Sequence, residues 1–364
     1  MLFRSGINCI RSNKAVSLTT AKTESTFHHD WHATINSNEQ SLPYAIAIPW
    51  ENLSSVKALV QLIDSGLNVS MTEKEIILEN NTLKRGTLLV LKADNLGKSW
   101  DKTVNSVLFA NGINGMNIQS GWASQGTDLG SSSIKNIKKP KIGVLYDENA
   151  SSLSVGEIWY FLDHELNTNH FLLRDASEDS YLLNEVNVIF IPDGSSIQNT
   201  DVIREWISNG GICIVMGSGA SNFMQADFGM NAGVDSPIIS NQALVSYGSS
   251  ERNSISETII GSIYRCQMDL THPLSFGYNN DYFTLRLNAE VYPFNGTIVQ
   301  QIKASNGWVS GFAGYKVKHK QDGATTVGIH EIGKGKIVYF FDNPLFRGFW
   351  QNGKLQVANA IYFL

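Results

Sequence analysis

The chain has 364 residues, which is longer than one ordinary domain and suits two. Hydrophobic residues make up 42% of it and aromatic residues 10%, enough to fill a core, so the composition excludes overall disorder. Only 17% of the residues are charged, and 28 basic against 33 acidic residues give a net charge of −5. Because the chain is weakly acidic and has no basic run, we expect neither nucleic acid nor an anionic membrane as a partner.

Cysteine spacing and apolar runs exclude further classes. Cys9, Cys213 and Cys266 lie far apart and form no Cys-x-x-Cys motif, which argues against a disulfide framework and a cysteine-built zinc site. Cys213 lies in an apolar run and is predicted to be a small buried hydrophobe. No window approaches the roughly 18 apolar residues of a membrane-spanning helix, and the start has no apolar stretch of signal-peptide length.

The first part of the chain, residues 1–42, is polar and is predicted to be an arm or the remnant of an interrupted domain. It contains the string His28-His29-Asp30-Trp31-His32. In an extended chain His28, Asp30 and His32 share one face, and two imidazoles with a carboxylate can bind a metal ion. A flexible polar arm is the alternative, and the surrounding Ser, Thr and Asn residues favour it.

Residues 43–137 are predicted to form a small α/β domain. A short strand is stopped by Pro49, and Asn52 or Ser54 can cap a helix with apolar residues at helical spacing that ends at Gly66.

Residues 138–364 are predicted to form a doubly wound, mostly parallel sheet domain of the flavodoxin-like kind. Apolar strand patterns alternate with helix patterns, which is typical of an open α/β sheet. Residues 226–285 break this rhythm and are predicted to be an irregular insertion. Further on, Asp342-Asn-Pro344 predicts the start of the last helix, with Asp342 and Asn343 explained by capping, and Arg347 could pair with Asp342 across the first turn. The predicted strands of this alternation are Lys141–Asp147, Phe171–Leu173, Val186–Gly194 and Ile212–Met216. Hairpin-like strands are predicted at Thr297–Lys303, Val309–Lys316 and Thr325–Glu331, followed by a strand at Lys336–Phe341.

Several long strings, in order, resemble the C-terminal half of large bacterial proteins of the carboxypeptidase A-like zinc metallopeptidase family. The resemblance covers residues 43–364 and implies a class I glutamine amidotransferase-like domain, with a zinc carboxypeptidase domain as its partner in a longer, exported or periplasmic parent. The strings include GTLLVLKADN, GTDLGSSSIKNIKKPKIGVLYD, SVGEIWYFLDHEL, IFIPDGSS, IREWISNGGICIVMGSGA, THPLSFGY and GKGKIVYFFDNPLFRGFWQNGKLQVANAIYFL.

The resemblance implies two activities, zinc carboxypeptidase and glutamine amidotransferase, but this chain does not contain the catalytic residues of either. Carboxypeptidase zinc is held by a His-x-x-Glu pair, and no histidine here has a glutamate three residues later. A class I amidotransferase needs a cysteine on the turn after a strand, but the matching turn, 216–220, has none. His330 and Glu331 are adjacent, so in a strand they point to opposite faces. We therefore expect no peptidase or glutaminase activity and no cofactor.

Two alternatives use the same turn. Ser218 with His330 could form a serine hydrolase, although Met216 and Ala220 replace the glycines of the Gly-x-Ser-x-Gly elbow; a tight structural turn is the simpler interpretation. The carboxyl edge of the sheet could also form a ligand crevice, because open α/β folds bind ligands there. The residues predicted for this crevice are Asp147, Asp193, Gly194, Gly217, Ser218 and Gly219.

The sequence thus predicts a non-catalytic accessory region that supports or contacts a peptidase domain. A module that binds a small ligand or peptide is the first alternative, and a serine hydrolase is the second.

Overall fold

A computed structural model describes residues 42–78, 81–97, 99–174, 180–231 and 247–364. The predicted metal group of His28, Asp30 and His32 lies outside these residues. Among the helices of the described ranges, none combines the length and apolar character needed to cross a membrane.

The N-terminal strands form a five-stranded antiparallel sheet covered by two helices. Across the sheet its strands are ordered Met116–Ile118, Ala45–Ile48, Leu88–Leu91, Ser70–Thr72 and Ile134–Asn136. The helix α1 begins where predicted, because Asn52 accepts hydrogen bonds from the backbone N–H groups of Ser54 and Ser55. The elements are β1 (Ala45–Ile48), α1 (Leu53–Asp64), β2 (Ser70–Thr72), the hairpin of β3 (Ile76–Leu78) and β4 (Asn81–Leu83), β5 (Leu88–Leu91), α2 (Trp100–Asn111), β6 (Met116–Ile118) and β7 (Ile134–Asn136).

A parallel sheet follows, with helices on both faces. Its strands are β8 (Ile142–Leu145), β9 (His170–Leu173), β10 (Val188–Ile191), β11 (Ile212–Met216) and β17 (Gly335–Phe340). They are ordered β9-β8-β10-β11-β17, so β9 forms the edge of the sheet on one side of β8 and β10 lies on the other side. This is the flavodoxin-like order, and it confirms the predicted fold class. The helices are α3 (Ser152–Tyr160), α4 (Ser180–Leu183), α5 (Thr200–Ser208), α6 (Tyr247–Ser256) and α7 (Gln351–Tyr362).

Five antiparallel strands extend this sheet beyond β17. They are β12 (Ile259–Met268), β13 (Tyr282–Arg286), β14 (Thr297–Ile302), β15 (Trp308–Ala313) and β16 (Thr325–Ile332). Strand β12 and most of β13 fall within residues 226–285, for which we expected irregular structure. Strand β12, which is ten residues long, pairs with β13 on one side and with β14 and β15 on the other, so this part of the expected insertion continues the sheet.

Apolar side chains on the two faces of the parallel strands form separate clusters. Cys213, Val215 and Ile189 face α5 in one cluster. Ile214, Phe190 and Val144 face α3 and α7 in the other, which continues into the small sheet through Trp50 and the apolar side of α1. The small sheet and the large sheet thus share a core, and the domain boundary at residues 137 and 138 stays a prediction.

Candidate functional site at the carboxyl edge of the parallel strands

Four polar residues occupy the same position relative to four parallel strands. Each lies two residues beyond the end of its strand: Asp147 after β8, Asp193 after β10, Ser218 after β11 and Asp342 after β17. Because parallel strands end at one edge of the sheet, this spacing brings the four residues to the same edge. Strands β8 and β10 are neighbours, whereas β9 lies on the far side of β8, so the chain changes direction between them. Such a switch point is where open α/β sheets bind ligands.

Ser218 and Asp193 form the centre of this edge. The Ser218 hydroxyl donates to Asp193 Oδ1 at 2.5 Å, and the backbone N–H of Ser218 donates to the same oxygen at 2.8 Å. Ser218 Oγ in turn accepts from the backbone N–H of Gly194 at 3.0 Å. Gly217 has φ +53°, and a Cβ there would lie 2.8 Å from Asp193 Oδ1. The turn after β11 therefore needs glycine in order to hold Ser218 against a carboxylate.

Asp147 joins two loops. Its Oδ1 accepts from the backbone N–H groups of Asn149 at 2.7 Å and Ala150 at 2.9 Å, and its Oδ2 accepts from that of Ser196 at 3.1 Å. These bonds connect the loop after β8 to the loop after β10. Asp147 thus holds the loops after β8 and β10 in place, and other residues form the surface that a ligand could reach.

A crevice of about 200 Å³ lies at this edge, and we call it the strand-edge crevice. Of the predicted residues, Asp193, Gly217 and Ser218 line it, whereas Asp147, Gly194 and Gly219 lie in the supporting loops and are not among its lining residues. Its other polar lining residues are Ser151, Ser154, Glu157, Asn288, Asp342, Asn343 and Arg347, and its apolar ones are Leu153, Leu285, Leu287, Phe341 and Phe346.

Glu157 is a site residue that the sequence analysis missed. It lies on α3, where its position among apolar residues gave no signal, and it reaches the loop before α7. Its Oε1 accepts from the backbone N–H of Arg347 and its Oε2 from Asn343 Nδ2, both at 2.6 Å. Burial raises the pKa of Glu157 more than these hydrogen bonds lower it, and the nearby charge of Asp193 raises it further.

Asp342 does not cap the last helix. That helix, α7, begins only at Gln351. Asp342 Oδ1 instead lies 2.9 Å from Nη1 of the buried Arg286, and its Oδ2 accepts from the Thr284 hydroxyl at 2.6 Å. Burial raises the pKa of Asp342 despite the opposing effect of Arg286. The predicted pair of Asp342 and Arg347 was therefore wrong, because strand β13 supplies a nearer guanidinium.

The structure does not bring His330 to Ser218. His330 lies in β16 opposite Ile337 of β17, and Ile337 lies opposite Cys213 of β11. Cys213 precedes Ser218 by five residues, so His330 is level with a point roughly 16 Å back along the chain at about 3.3 Å per residue. The Ser218 hydroxyl donates a hydrogen bond to Asp193, and none of the described histidines lines the crevice beside it.

The buried thiol and the described acids and histidines offer no alternative centre. Cys213 is fully buried, as predicted, and burial raises the pKa of its thiol well above the usual value. Within the described ranges, no three His, Cys, Asp or Glu side chains form a group able to hold a metal ion.

No protein-family model and no curated protein matches the sequence. Among solved structures, a GMP synthase protein from Thermoplasma acidophilum is 12% identical, with 62% of this chain and 93% of that one covered and a TM-score of 0.38. A ThuA-like protein from Parabacteroides merdae is 10% identical, with 60% and 90% covered and a TM-score of 0.35.

An exo-β-1,4-mannosidase from Opitutaceae bacterium strain TAV5 is 12% identical, with 61% of this chain covered and a TM-score of 0.34; the chain spans 34% of that enzyme. TM-scores this low assign no residue role and no activity to this chain. Nothing in these comparisons supports a carboxypeptidase A-like parent.

Proposed function

We propose that this chain is a non-catalytic module that binds a small hydroxylated molecule in the strand-edge crevice. The observation that carries the proposal is the crevice itself, which lies at the switch point of the sheet and contains both hydrogen-bond donors and acceptors. Its volume of about 200 Å³ is below the roughly 300–1,000 Å³ of pockets for drug-sized ligands. A ligand of monosaccharide size suits this space.

The free polar groups of the crevice suit hydroxyl groups. Asp193 Oδ2 makes no hydrogen bond to a described residue and can accept one from a ligand. Ser154 Oγ accepts a hydrogen bond from the Asp193 backbone N–H at 3.1 Å, so its own hydroxyl proton can be donated to a ligand. The exposed Arg347 guanidinium lies over the Phe346 ring, 5.2 Å from its centroid, and adds further donors. Leu285, Leu287 and Phe346 offer apolar surface for the C–H groups of a ligand. A hydroxylated carbon skeleton has both kinds of group.

The arrangement around Ser218 supports binding over hydrolysis. A serine nucleophile needs a base that removes its proton, and imidazole serves this purpose in serine hydrolases. The Ser218 hydroxyl instead donates a hydrogen bond to the Asp193 carboxylate, which also accepts one from the Ser218 backbone N–H. A fluorophosphonate probe should therefore leave Ser218 unlabelled; covalent labelling that is lost in Ser218→Ala would establish the hydrolase alternative.

The binding proposal is tested by thermal shift and calorimetry with the full chain and a panel of glucose, galactose, mannose, myo-inositol and glycerol. We expect at least one member to stabilise the protein and to bind at least tenfold more weakly to Asp193→Asn. The control is Asp163→Asn, which removes one negative charge from an exposed position on the segment after α3. Absence of stabilisation by every member, or equal affinity for Asp193→Asn and the control, would contradict the proposal.

The resemblance of residues 43–364 to the tails of zinc carboxypeptidase-like proteins supports a second candidate, in which this module accompanies a peptidase domain of a longer protein. The observation behind it is the set of long strings that occur in the same order. The test is the genomic sequence upstream of the codon for Met1. A domain that carries His-x-x-Glu in the same reading frame would support this candidate, and a stop codon directly upstream would exclude it.

A further inference from the structure

A second cavity lies at the opposite edge of the parallel strands, between the two sheets. Its lining includes the first residues of β10 and β11, Val188 and Ile212, together with Met71 and Lys135 from the small sheet. Its volume is about 550 Å³, within the usual range for ligand pockets. We call it the inter-sheet cleft. It shares no lining residue with the strand-edge crevice.

Cations outnumber anions among the residues that line the inter-sheet cleft. Three lysines, Lys135, Lys138 and Lys336, contribute ammonium groups, whereas Glu73 contributes the acidic side chain. Lys135 lies 4.0 Å from Glu73. Within the described part of the chain, Lys138 and Lys336 take part in no ion pair. Although Glu331 lies opposite Lys336 in the register of β16 and β17, neither ammonium group has a described carboxylate within 4.0 Å, and both border a concave surface.

His272 adds a directed hydrogen-bond donor to the same cleft. Its Nδ1 accepts from the backbone N–H of Leu274 at 3.2 Å, so the proton of the neutral ring lies on Nε2. No described residue accepts from Nε2. Burial lowers the pKa of His272 and the charge of Lys336 lowers it further, with Asp269 opposing them. The imidazole and the Lys336 side chain line the same cleft.

We infer that the inter-sheet cleft binds a phosphorylated small molecule, with its phosphate between His272, Lys336 and Lys138. A phosphate group accepts hydrogen bonds from Nε2–H and from ammonium groups, and its negative charge complements the positive charge of the lysines. The apolar part of the cleft, which includes Met71, Ile212 and Ile361, provides space for the remainder of such a molecule. This inference does not depend on the function proposed for the strand-edge crevice.

The test follows the His272 ring by NMR in the full chain labelled at histidine, with the His272→Asn variant to assign its signal. Inorganic phosphate and pyrophosphate are titrated at constant ionic strength against sodium chloride. We expect a saturable shift of the His272 signal and an upward shift of its pKa, because a bound anion stabilises the imidazolium form. Chloride should produce neither effect.

Two lysine variants distinguish a site from general charge. Lys336→Gln should weaken pyrophosphate binding at least tenfold. Lys334→Gln removes an equal charge from an exposed position two residues away, on the turn before β17, and should bind as the unchanged protein does. The absence of a saturable shift, or equal weakening by both variants, would overturn the inference. Asp193→Asn should leave this binding intact, so the two proposed sites can fail separately.

Discussion

Gly217 determines whether Ser218 can reach Asp193. Its φ of +53° lies in the left-handed region, which disfavours side chains with a Cβ, and a methyl group there would meet the Asp193 carboxylate at 2.8 Å. The sequence showed a glycine-rich turn at this place but not the reason for it. The reason is a contact between the ends of two neighbouring strands.

Gly217→Ala should lower the free energy of unfolding by about 1–3 kcal/mol, because it combines an unfavourable backbone conformation with a close contact. Gly156→Ala is the matched control. Gly156 lies within α3, and a Cβ there would meet nothing within 4 Å, so we expect a gain of about 0.5–1 kcal/mol. Denaturant unfolding of the three proteins measures both values. Equal stability of Gly217→Ala and the unchanged protein would show that the turn tolerates a side chain.

The raised pKa of Glu157 predicts a pH effect of known sign. Between the ordinary value of 4.5 and the higher value in the folded protein, the folded state holds more protons than the unfolded state. Stability therefore falls as pH rises through this window. The difference in unfolding free energy between the unchanged protein and Glu157→Gln should decrease from pH 4 to pH 7, as measured by urea unfolding.

Glu148→Gln, at an exposed position in the loop after β8, controls for the removal of one negative charge. A difference for Glu157→Gln that stays constant, or that increases with pH, would contradict the predicted sign.

At the scale of the elements, helix α7 is buried on nearly all sides. It contains a stripe of apolar residues, as the sequence predicts, but Asn352, Lys354, Gln356 and Asn359 are buried too. Each has specific partners: Lys354 Nζ, for example, lies 2.6 Å from Glu165 Oε1 and donates to the carbonyl of Gly348 at 2.7 Å. Buried polar groups with such partners fix the position of a helix, because a displaced helix leaves them unsatisfied.

Among the four buried polar side chains of α7, Asn359 makes the most hydrogen bonds to described residues outside the helix. Its Oδ1 accepts from Trp50 Nε1 at 2.7 Å, and its Nδ2 donates to the carbonyls of Leu274 at 3.1 Å and Phe276 at 2.9 Å. Asn359→Leu should therefore cost about 3–5 kcal/mol, because three buried polar groups lose their partner. Gln351→Ala, at the exposed start of the same helix, should change stability by less than about 0.5 kcal/mol. Thermal and denaturant unfolding compare the two, and similar losses would contradict the role given to Asn359.

The predicted parallel strands differ in pattern from β12, which the sequence analysis did not predict. Strands β8 and β10 are short apolar runs buried on both faces, and such runs are hard to overlook. Strand β12 alternates, with Tyr264, Cys266 and Met268 buried and Gln267 exposed. That alternation was present in the sequence, but Ser262 and Gly261 obscured its start. The period of two would have identified the strand.

The candidate site could be predicted only where strand ends determine it. Asp193 and Ser218 follow recognisable strands, so their position at the carboxyl edge of the sheet could be predicted. Glu157 belongs to a helix, and Leu285 belongs to a strand that was not expected. Their approach to the crevice depends on the packing of α3 and on the antiparallel extension of the sheet. Contacts between residues far apart in the chain leave no local pattern.

At the scale of the whole molecule, one apolar cluster joins the two sheets. It contains Ile46 and Val56 from the small sheet and its helix, and Val144 and Phe190 from the parallel strands. Trp50 lies within it, with its ring centroid 4.6 Å from that of Phe363. Because burial in a shared core is lost when either part unfolds, the two sheets should stabilise each other.

We therefore expect the two sheets to unfold together. Hydrogen exchange followed by mass spectrometry should give peptides of β1 and of β10 the same opening free energy. The substitution Trp50→Phe should lower both free energies equally, because it removes the hydrogen bond to Asn359 and part of the shared apolar surface. Trp122→Phe is the control, because Trp122 is 79% exposed. If β1 peptides exchanged through an opening that left β10 protected, the sheets would be independent domains, and the contacts of Trp50 would be those of a weak interface.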